Sequence, residues 1–358
     1  MIKSRYAGRM KMSLDTSATY LGLRLKSPIV IGGCGMTMKP ETVRELVNAG
    51  AGAIVLPSLF EEQVVHELME RGEKTSPQES LVESLAFEPA DERYNGGPKS
   101  YLESIKTISS ISGIPVIASL NGCTDGKWLS IALEMERAGA SAMEVTLEME
   151  QTDPTLSADK VEESLIECIT ELADQIRIPI SVKLTSYHTN LPNLAWRLTE
   201  AGASGLVCFA HEPSWHVEID RIAATLNWAL TSVGTINPTL AGLARVRSGG
   251  PSISLAASGG ICTSEDVIKA LLIGADVVML VSQIYRFGPD IVAQLLDGLT
   301  CYLEQNGFQS LDALIAARPA PIRYRRSAFL RSITKPERTQ DPTPQVSNQV
   351  GDRWGHPT

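Results

Sequence analysis

The chain has 358 residues, 43% of them hydrophobic and 20% charged, enough to bury the core of one large domain or two ordinary ones. Its formal net charge of −9 argues against nucleic acid as a partner. No apolar run approaches the roughly 20 residues of a membrane span, and no two of the six cysteines are spaced as a CxxC metal motif. The composition therefore predicts a cytoplasmic protein with no membrane partner.

Residues 1–17 are predicted to form a flexible N-terminal extension, after which strand-like runs and helical patterns alternate. Four of the strand-like runs open with a proline: Pro28, Pro115, Pro179 and Pro251. Four others follow a glycine at the end of a helical pattern: Gly50, Gly139, Gly202 and Gly274. The two series keep nearly the same spacing. The chain therefore repeats a strand–helix–strand–helix unit four times.

Proline is tolerated at the first residue of a strand, and glycine just past a helix end can adopt the left-handed conformation that stops the helix. The strand-like runs are almost continuously hydrophobic, which is typical of parallel strands buried on both faces. Eight such strands alternating with helices predict an α/β fold, a (β/α)8 TIM barrel over residues 18–316. A doubly wound open sheet is the alternative, and the fourfold regularity favours the closed barrel. Residues 317–358, first basic and then polar, are predicted to be a disordered tail.

Two long excursions interrupt the regular alternation. Residues 58–113 follow the second predicted strand, and residues 211–238 follow the sixth. Loops after the strands of a barrel open onto its C-terminal face, where the active sites of such barrels lie. We therefore expect both excursions to cover the site.

The end of the seventh predicted strand carries two adjacent glycines, Gly259 and Gly260, followed by a helix-capping sequence in which Thr263 precedes Asp266 by three residues. Backbone N–H groups at glycines are unshielded and can bind an anion beside a helix N-terminus. A tight strand-to-helix turn is the alternative. Since barrels often hold phosphate with the loops after strands seven and eight, Ser258 and the glycines are predicted to form an anion site together with Val281 and Ser282.

Other polar or small residues end predicted strands at the same face: Gly32, Gly33, Ser58, Asn121 and Lys183. Lysine inside a buried strand is costly unless it meets an anion or an electron-rich group. The alternative is a surface lysine on a frayed strand. Together these positions indicate a flat ligand with a phosphate tail, lying across the barrel mouth.

Six segments in this order resemble the dihydroorotate dehydrogenase family, over roughly residues 18–316. They are YLGLRLKSPIVIGG, GAGAIVLPSLFEEQ, IPVIASLNG, ISVKL, AASGGI…EDVIKALLIGADVVMLVSQIYRFGP and LEQNGFQSLDAL. The resemblance implies an FMN-binding barrel. It further implies hydride transfer from dihydroorotate to the flavin, with a base on the protein taking the second proton.

The resemblance also implies roles for individual residues. Gly32 and Gly33 would lie near the flavin ring, Ser58 and Asn121 along it, and Lys183 beside its N1 and C2 carbonyl, where its charge would stabilise reduced flavin. The flavin phosphate would be held by Ser258, Gly259, Gly260, Val281 and Ser282.

The orotate half of the family pattern is not matched. Pro57 stands where the family has a lysine. Thr146 stands where the family has the first asparagine of a pair for flavin and orotate after strand four, so the resemblance places Thr146 at the flavin. The loop after Thr146 has no cysteine to act as base; Ser157 is the nearby serine and Thr152 a poor substitute. After strand six, Ala210 or His211 replaces an asparagine. His211 is the candidate catalytic base, and a histidine that serves only as a loop residue is the alternative.

These features predict an FMN oxidoreductase of dihydroorotate dehydrogenase type, acting on a CH–CH donor in a small molecule, with Lys183 and His211 as its catalytic residues. Its substrate need not be dihydroorotate, so the place in pyrimidine biosynthesis that the family implies is in question. The alternative is a non-catalytic barrel that acts as a partner or regulatory subunit. No metal site is predicted, and a homodimer is compatible with the sequence.

Overall fold

The computed structural model describes residues 14–86, 92–122, 126–147 and 154–320. These residues belong to one compact unit that ends at Pro321. Most of the predicted N-terminal extension and nearly all of the predicted tail lie outside the described residues, so both remain predictions. None of the helices in the described ranges combines the length and the apolar content that a membrane crossing requires.

Eight parallel strands form the barrel, in the order that the repeat predicts. Their bounds are β3 (Ile29–Ile31), β4 (Ala53–Val55), β6 (Val116–Gly122), β7 (Ala142–Leu147), β8 (Ile180–Leu184), β9 (Gly205–Cys208), β12 (Ser254–Ser258) and β13 (Val277–Leu280). Neighbours in the chain pair with each other around the sheet, β13 pairs with β3, and β4 pairs with β6. The sheet is therefore closed, which confirms the TIM barrel and contradicts the open-sheet alternative.

Helices surround the sheet. The described helices are α1 (Pro40–Asn48), α2 (Glu61–Glu70), α3 (Pro77–Ala86), α4 (Glu92–Asn95), α5 (Gly97–Ser112), α6 (Ile131–Arg137), α7 (Ala158–Gln175), α8 (Leu191–Glu200), α9 (Asn237–Gly249), α10 (Ser264–Ile273), α11 (Ser282–Phe287), α12 (Ile291–Gln305) and α13 (Leu311–Ala316). The four repeat glycines have positive φ angles between 106° and 143°. Glycine adopts positive φ without the steric cost that a Cβ brings, which explains why each of these helices stops there.

A short antiparallel hairpin covers the amino-terminal end of the barrel. It consists of β1 (Ala18–Tyr20) and β2 (Leu23–Leu25). Leu21 lies in the turn of this hairpin, and its N–H donates a 3.0 Å hydrogen bond to Oγ of Ser254, the first residue of β12. The barrel interior is closed at this end, so a ligand site is left to the carboxyl-terminal end.

The two excursions lie after the second and sixth barrel strands, as predicted. The first contains a short strand, β5 (Leu59–Phe60), which pairs with the end of β6, and then α2 to α5. The second contains an antiparallel hairpin of β10 (Ser214–Glu218) and β11 (Ala223–Asn227).

Asp276, directly before β13, joins three parts of the amino-terminal rim of the barrel. Its carboxylate accepts hydrogen bonds from Arg247 of α9 at 2.8 Å, from the N–H of Leu255 at 2.9 Å and from Arg318 at 3.4 Å. Asp276 and the two arginines are each about one-fifth exposed. Burial lowers the pKa of Arg318, although the carboxylate of Asp276 opposes that shift.

We expect Asp276→Ala to lower the free energy of unfolding by about 3 kcal/mol, because it leaves two partly buried guanidinium groups and one backbone N–H without their acceptor. Urea denaturation measures this change. Asp312→Ala is the control, since its contact with Arg24 is 3.6 Å long and exposed, and it should cost less than about 1 kcal/mol. Equal losses in the two variants would contradict a structural role for the Asp276 network.

Candidate functional site

A cavity of about 810 Å³ opens at the carboxyl-terminal end of the barrel. This volume is in the range of small-molecule and cofactor sites. Residues from β8, from the ends of β3, β12 and β13, from both excursions and from α11 line it: Gly32, Gly33, Phe60, Glu62, Gln63, Tyr94, Lys183, His211, Trp228, Leu230, Thr231, Ser258, Gly259, Gly260, Ile261, Met279, Val281, Ser282 and Tyr285. Both excursions contribute walls, as the sequence predicts.

Nine of the residues predicted from the sequence share this lining. They are Gly32, Gly33, Lys183, His211, Ser258, Gly259, Gly260, Val281 and Ser282. Three others are not in the lining. Oγ of Ser58 lies 2.8 Å from Oγ of Ser119, Thr146 is 4% exposed, and Asn121 pairs with Thr146 across β6 and β7. Their predicted contacts with a flavin stay predictions.

The turn after β12 presents two consecutive glycines with positive φ, +94° at Gly259 and +78° at Gly260. A Cβ on Gly260 would meet Cα of Ile236 at 2.5 Å, so the second excursion packs directly against this turn. The carbonyls of Ser258 and Gly259 accept hydrogen bonds from Thr239 Oγ1 at 2.8 and 3.0 Å. Among the described residues, neither glycine N–H donates to an acceptor. Two backbone donors are thus available to an anion in the cavity.

The helix that follows the turn caps itself. Oγ1 of Thr263 accepts a hydrogen bond from the N–H of Asp266, and the Asp266 carboxylate accepts from the N–H groups of Cys262 and Thr263 at 3.1 and 2.9 Å. This confirms the predicted capping box and places a negative charge at the helix N-terminus. An anion near this turn would therefore be held by the glycine amides and not by the first turn of α10.

The neighbouring strand ends pack tightly at the floor of the cavity. A Cβ on Gly33 would meet the carbonyl oxygen of Leu56 at 2.7 Å, and one on Gly32 would meet Cγ2 of Val281 at 2.7 Å. Oγ of Ser282 accepts a 3.0 Å hydrogen bond from the N–H of Thr231 in the second excursion. The two glycines keep this part of the wall free of side chains.

Lys183 forms an ion pair with Glu144, a residue that sequence reasoning missed. Nζ of Lys183 donates to Oε1 of Glu144, on the adjacent strand β7. Glu144 is 1% exposed, and its Oε2 has no hydrogen-bond partner among the described residues. The feature of the sequence that could have identified Glu144 is its carboxylate inside the otherwise largely apolar run AMEVTL. Lys183 is thus a lysine held by a buried carboxylate at the cavity wall, and not a surface lysine on a frayed strand.

Large aromatic side chains form the walls above the strand ends. The rings of Phe60 and Tyr94, both in the first excursion, have centroids 5.9 Å apart, and those of His211 and Trp228 are 5.5 Å apart. Trp228 is 68% exposed although it lines the cavity. Exposed aromatic surface around a cavity is typical of a binding site. Sequence reasoning predicted that these excursions cover the site, but it did not identify their aromatic residues.

The candidate proton acceptors differ in their positions. His211 lines the cavity, whereas Ser157 is an exposed N-cap whose Oγ accepts a hydrogen bond from the N–H of Lys160. Thr152 lies outside the described residues. Cys34, which follows the β3 glycines, is buried, and burial raises the pKa of its thiol, which disfavours the thiolate. Histidine is the residue type that most often serves as a general base.

The fold and the site define a (β/α)8 barrel with a ligand cavity at the carboxyl ends of its strands, and Lys183 lies in its lining. No protein-family model matches the chain. It is 24% identical over 309 residues to a putative dihydroorotate dehydrogenase A (fumarate) of Aeropyrum pernix, covering 84% of this chain and 96% of the relative. It is 22% identical over 311 residues to the catalytic subunit of dihydroorotate dehydrogenase B (NAD(+)) of Methanothermobacter thermautotrophicus, covering 86% and 98%.

These relatives confirm the resemblance to the dihydroorotate dehydrogenase family, and the match spans nearly the whole length of each. They support an oxidoreductase of that type. Their names give no support to the alternative of a non-catalytic barrel.

A double-mutant cycle tests the pairing of Lys183 with Glu144. We expect Glu144→Gln and Lys183→Met each to lower the free energy of unfolding by about 2–4 kcal/mol, because each leaves the partner's charge largely buried and unpaired. The double variant should be more stable than the sum of the single effects implies, with a coupling of about 1–3 kcal/mol measured by urea denaturation. Strictly additive losses would show that the two side chains do not interact.

Proposed function

We propose that the protein is an FMN-dependent oxidoreductase that oxidises a small molecule at a CH–CH bond. The observation that carries the proposal is the pair of glycine N–H groups, at Gly259 and Gly260, that have no acceptor among the described residues and lie in the same cavity as Lys183. Adjacent backbone donors suit a phosphate, and a cation suits the electron-rich end of a flavin. The relatives' names support the same chemistry.

The residues present fit such a cofactor. The amides of Gly259 and Gly260 would hold its phosphate, with Val281 and Ser282 from the adjacent strand end. Gly32 and Gly33 leave a stretch of cavity wall without side chains, which suits a flat ring. Bound FMN would accept a hydride from the substrate and so take up two electrons.

The chain itself would supply charge, proton transfer and exclusion of water. Lys183 would stabilise negative charge on the reduced cofactor, and Glu144 would fix the position of its ammonium group. His211 would accept the proton that leaves the carbon next to the hydride donor. The aromatic walls from both excursions would shield the reacting atoms from solvent.

We expect the protein to bind one FMN per chain, and Gly259→Asp to weaken that binding about a thousandfold. A carboxylate about 4 Å from the phosphate costs roughly 4 kcal/mol per charge pair at an effective dielectric constant near 20. Titration of the apoprotein, followed by flavin fluorescence, measures the affinity.

Gly307→Asp is the matched control for this variant. Gly307 also has positive φ, at +74°, and a Cβ there meets nothing within 4 Å, so the substitution should leave FMN affinity unchanged. Absence of saturable binding to the unmodified protein at micromolar concentration would refute the proposed function. If Gly259→Asp binds FMN as tightly as the unmodified protein does, the phosphate does not lie at this turn.

Lys183→Met should lower the two-electron midpoint potential of the bound flavin by roughly 30 to 65 mV, which corresponds to a loss of 1.4 to 3 kcal/mol in the reduced state alone. An anaerobic redox titration measures the potential. Lys269→Met is the control, because Lys269 pairs with Glu265 on the exposed face of α10 and its removal should not shift the potential. An unchanged potential in Lys183→Met would place the lysine away from the flavin.

A further inference from the structure

Two polar atoms inside the barrel have no hydrogen-bond partner among the described residues: the hydroxyl of Tyr20 and Oε2 of Glu144. Tyr20 is fully buried, and Glu144 is 1% exposed. The other carboxylate oxygen of Glu144 accepts from Nζ of Lys183. A buried polar atom without a partner costs free energy, and native proteins nearly always satisfy it. Both atoms therefore require a partner inside the barrel.

The sheet and the amino-terminal hairpin bring both groups to the same side chain, Ser181 of β8. Ser181 pairs in register with Glu144 of β7 on one side and with Gly205 of β9 on the other. Register partners on parallel strands point to the same face, so Ser181 faces the barrel interior together with Glu144. A Cβ on Gly205 would meet Cδ2 of Leu21, the residue that follows Tyr20. The hairpin thus reaches this row of the sheet.

The electrostatics of Tyr20 agree with this arrangement. Burial raises the pKa of Tyr20, the charge of Glu144 raises it further, and the side chain of Ser181 lowers it. The hydroxyl of Tyr20 is therefore protonated at neutral pH and can donate a hydrogen bond. Ser181 donates its own proton to the carbonyl oxygen of Met143 at 3.4 Å, so its hydroxyl oxygen is able to accept.

We propose that one buried water molecule joins Tyr20 to Glu144 and Ser181. The water accepts from the hydroxyl of Tyr20 and donates to Oε2 of Glu144 and to Oγ of Ser181. Buried waters typically make about three hydrogen bonds, to polar groups that the chain itself leaves unsatisfied. Tyr20 is thus a positioning residue. From the amino-terminal hairpin it holds the carboxylate that in turn holds Lys183 at the cavity wall.

The consequence for the cofactor rests on the proposed function. The hydroxyl of Tyr20, acting through the water, offsets part of the negative charge of Glu144. More of the positive charge of Lys183 is then left to stabilise a reduced flavin. Without the hydroxyl, Glu144 neutralises the lysine more completely, and the reduced cofactor loses stabilisation.

Tyr20→Phe removes only the hydroxyl, and the sign of its effect on stability tests the water link without any cofactor. We expect the unfolding constant of the full-length apoprotein, measured by urea denaturation, to rise about tenfold, because the carboxylate and the water each lose a hydrogen bond. A hydroxyl without a partner would behave in the opposite way, since its removal relieves a desolvation penalty. A variant of equal or greater stability overturns the proposal.

A double-mutant cycle identifies the partner of Tyr20. The destabilisation by Tyr20→Phe should be at least about threefold smaller, as a factor in the unfolding constant, in the Glu144→Gln background, because water bonds a neutral amide more weakly than a carboxylate. Glu79→Gln is the matched control. Glu79 is also 1% exposed and has one carboxylate oxygen without a partner among the described residues, but it lies on α3 in the first excursion. Its effect should add to that of Tyr20→Phe, whereas additivity with Glu144→Gln overturns the proposal.

The midpoint potential of bound FMN separates positioning from packing. In Tyr20→Phe we expect the ratio of the affinities for reduced and oxidised FMN to fall about three- to tenfold, which lowers the two-electron midpoint potential by roughly 15 to 30 mV. Tyr101→Phe is the control, because Tyr101 is also fully buried but its hydroxyl bonds to the backbone of Ser119. The control should lose stability without a shift in potential.

An unchanged potential in Tyr20→Phe, measured by anaerobic redox titration of the FMN-loaded chain, overturns the positioning role. A chain that binds no FMN loses the proposed function and this role with it, while the two stability measurements still decide whether the water link exists.

Discussion

Closure of the sheet by the pairing of its last barrel strand, β13, with its first, β3, determines where everything else in the molecule can lie. Because all eight strands run in the same direction, closure brings their carboxyl ends to one rim. The β1–β2 hairpin covers the opposite rim, so the interior is accessible from one side. Residues far apart in the chain, such as Gly33, Lys183 and Gly260, reach the same cavity only through this geometry. The common direction of the strands thus determines where the site lies, before any individual side chain is considered.

The strands, their order and the capping box at Thr263 could be predicted because their causes are local. A proline fixes φ where a strand begins, and a glycine adopts the positive φ that ends a helix. Thr263 and Asp266 interact within one helical turn. The contact of Lys183 with Glu144 could not be predicted in the same way, because it joins two adjacent strands that lie far apart in the chain and depends on their register. The packing of Gly260 against Ile236 likewise joins a strand end to an excursion, and neither sequence pattern specifies the approach.

The site divides into two parts that depend on different kinds of interaction. One part consists of backbone N–H groups and glycines at the ends of β3, β12 and β13. This part depends little on the chemistry of side chains. Side chains from the excursions form the other part, among them Phe60, Tyr94 and Trp228. A barrel can keep the first part while the second diverges, because loops tolerate substitution and strand ends do not.

The close approach of Gly260 to Ile236 also limits how the chain can evolve. Because the two backbones touch without an intervening side chain, an insertion or deletion near Ile236 would displace the turn after β12 together with the N–H groups of its two glycines. Length changes in the second excursion are therefore tolerable near the β10–β11 hairpin, whose side chains are largely exposed. They are not tolerable where the chain leads from this excursion into α9. Natural variation in loop length should accordingly concentrate at the tip of that hairpin, while the residues leading into α9 keep a fixed count.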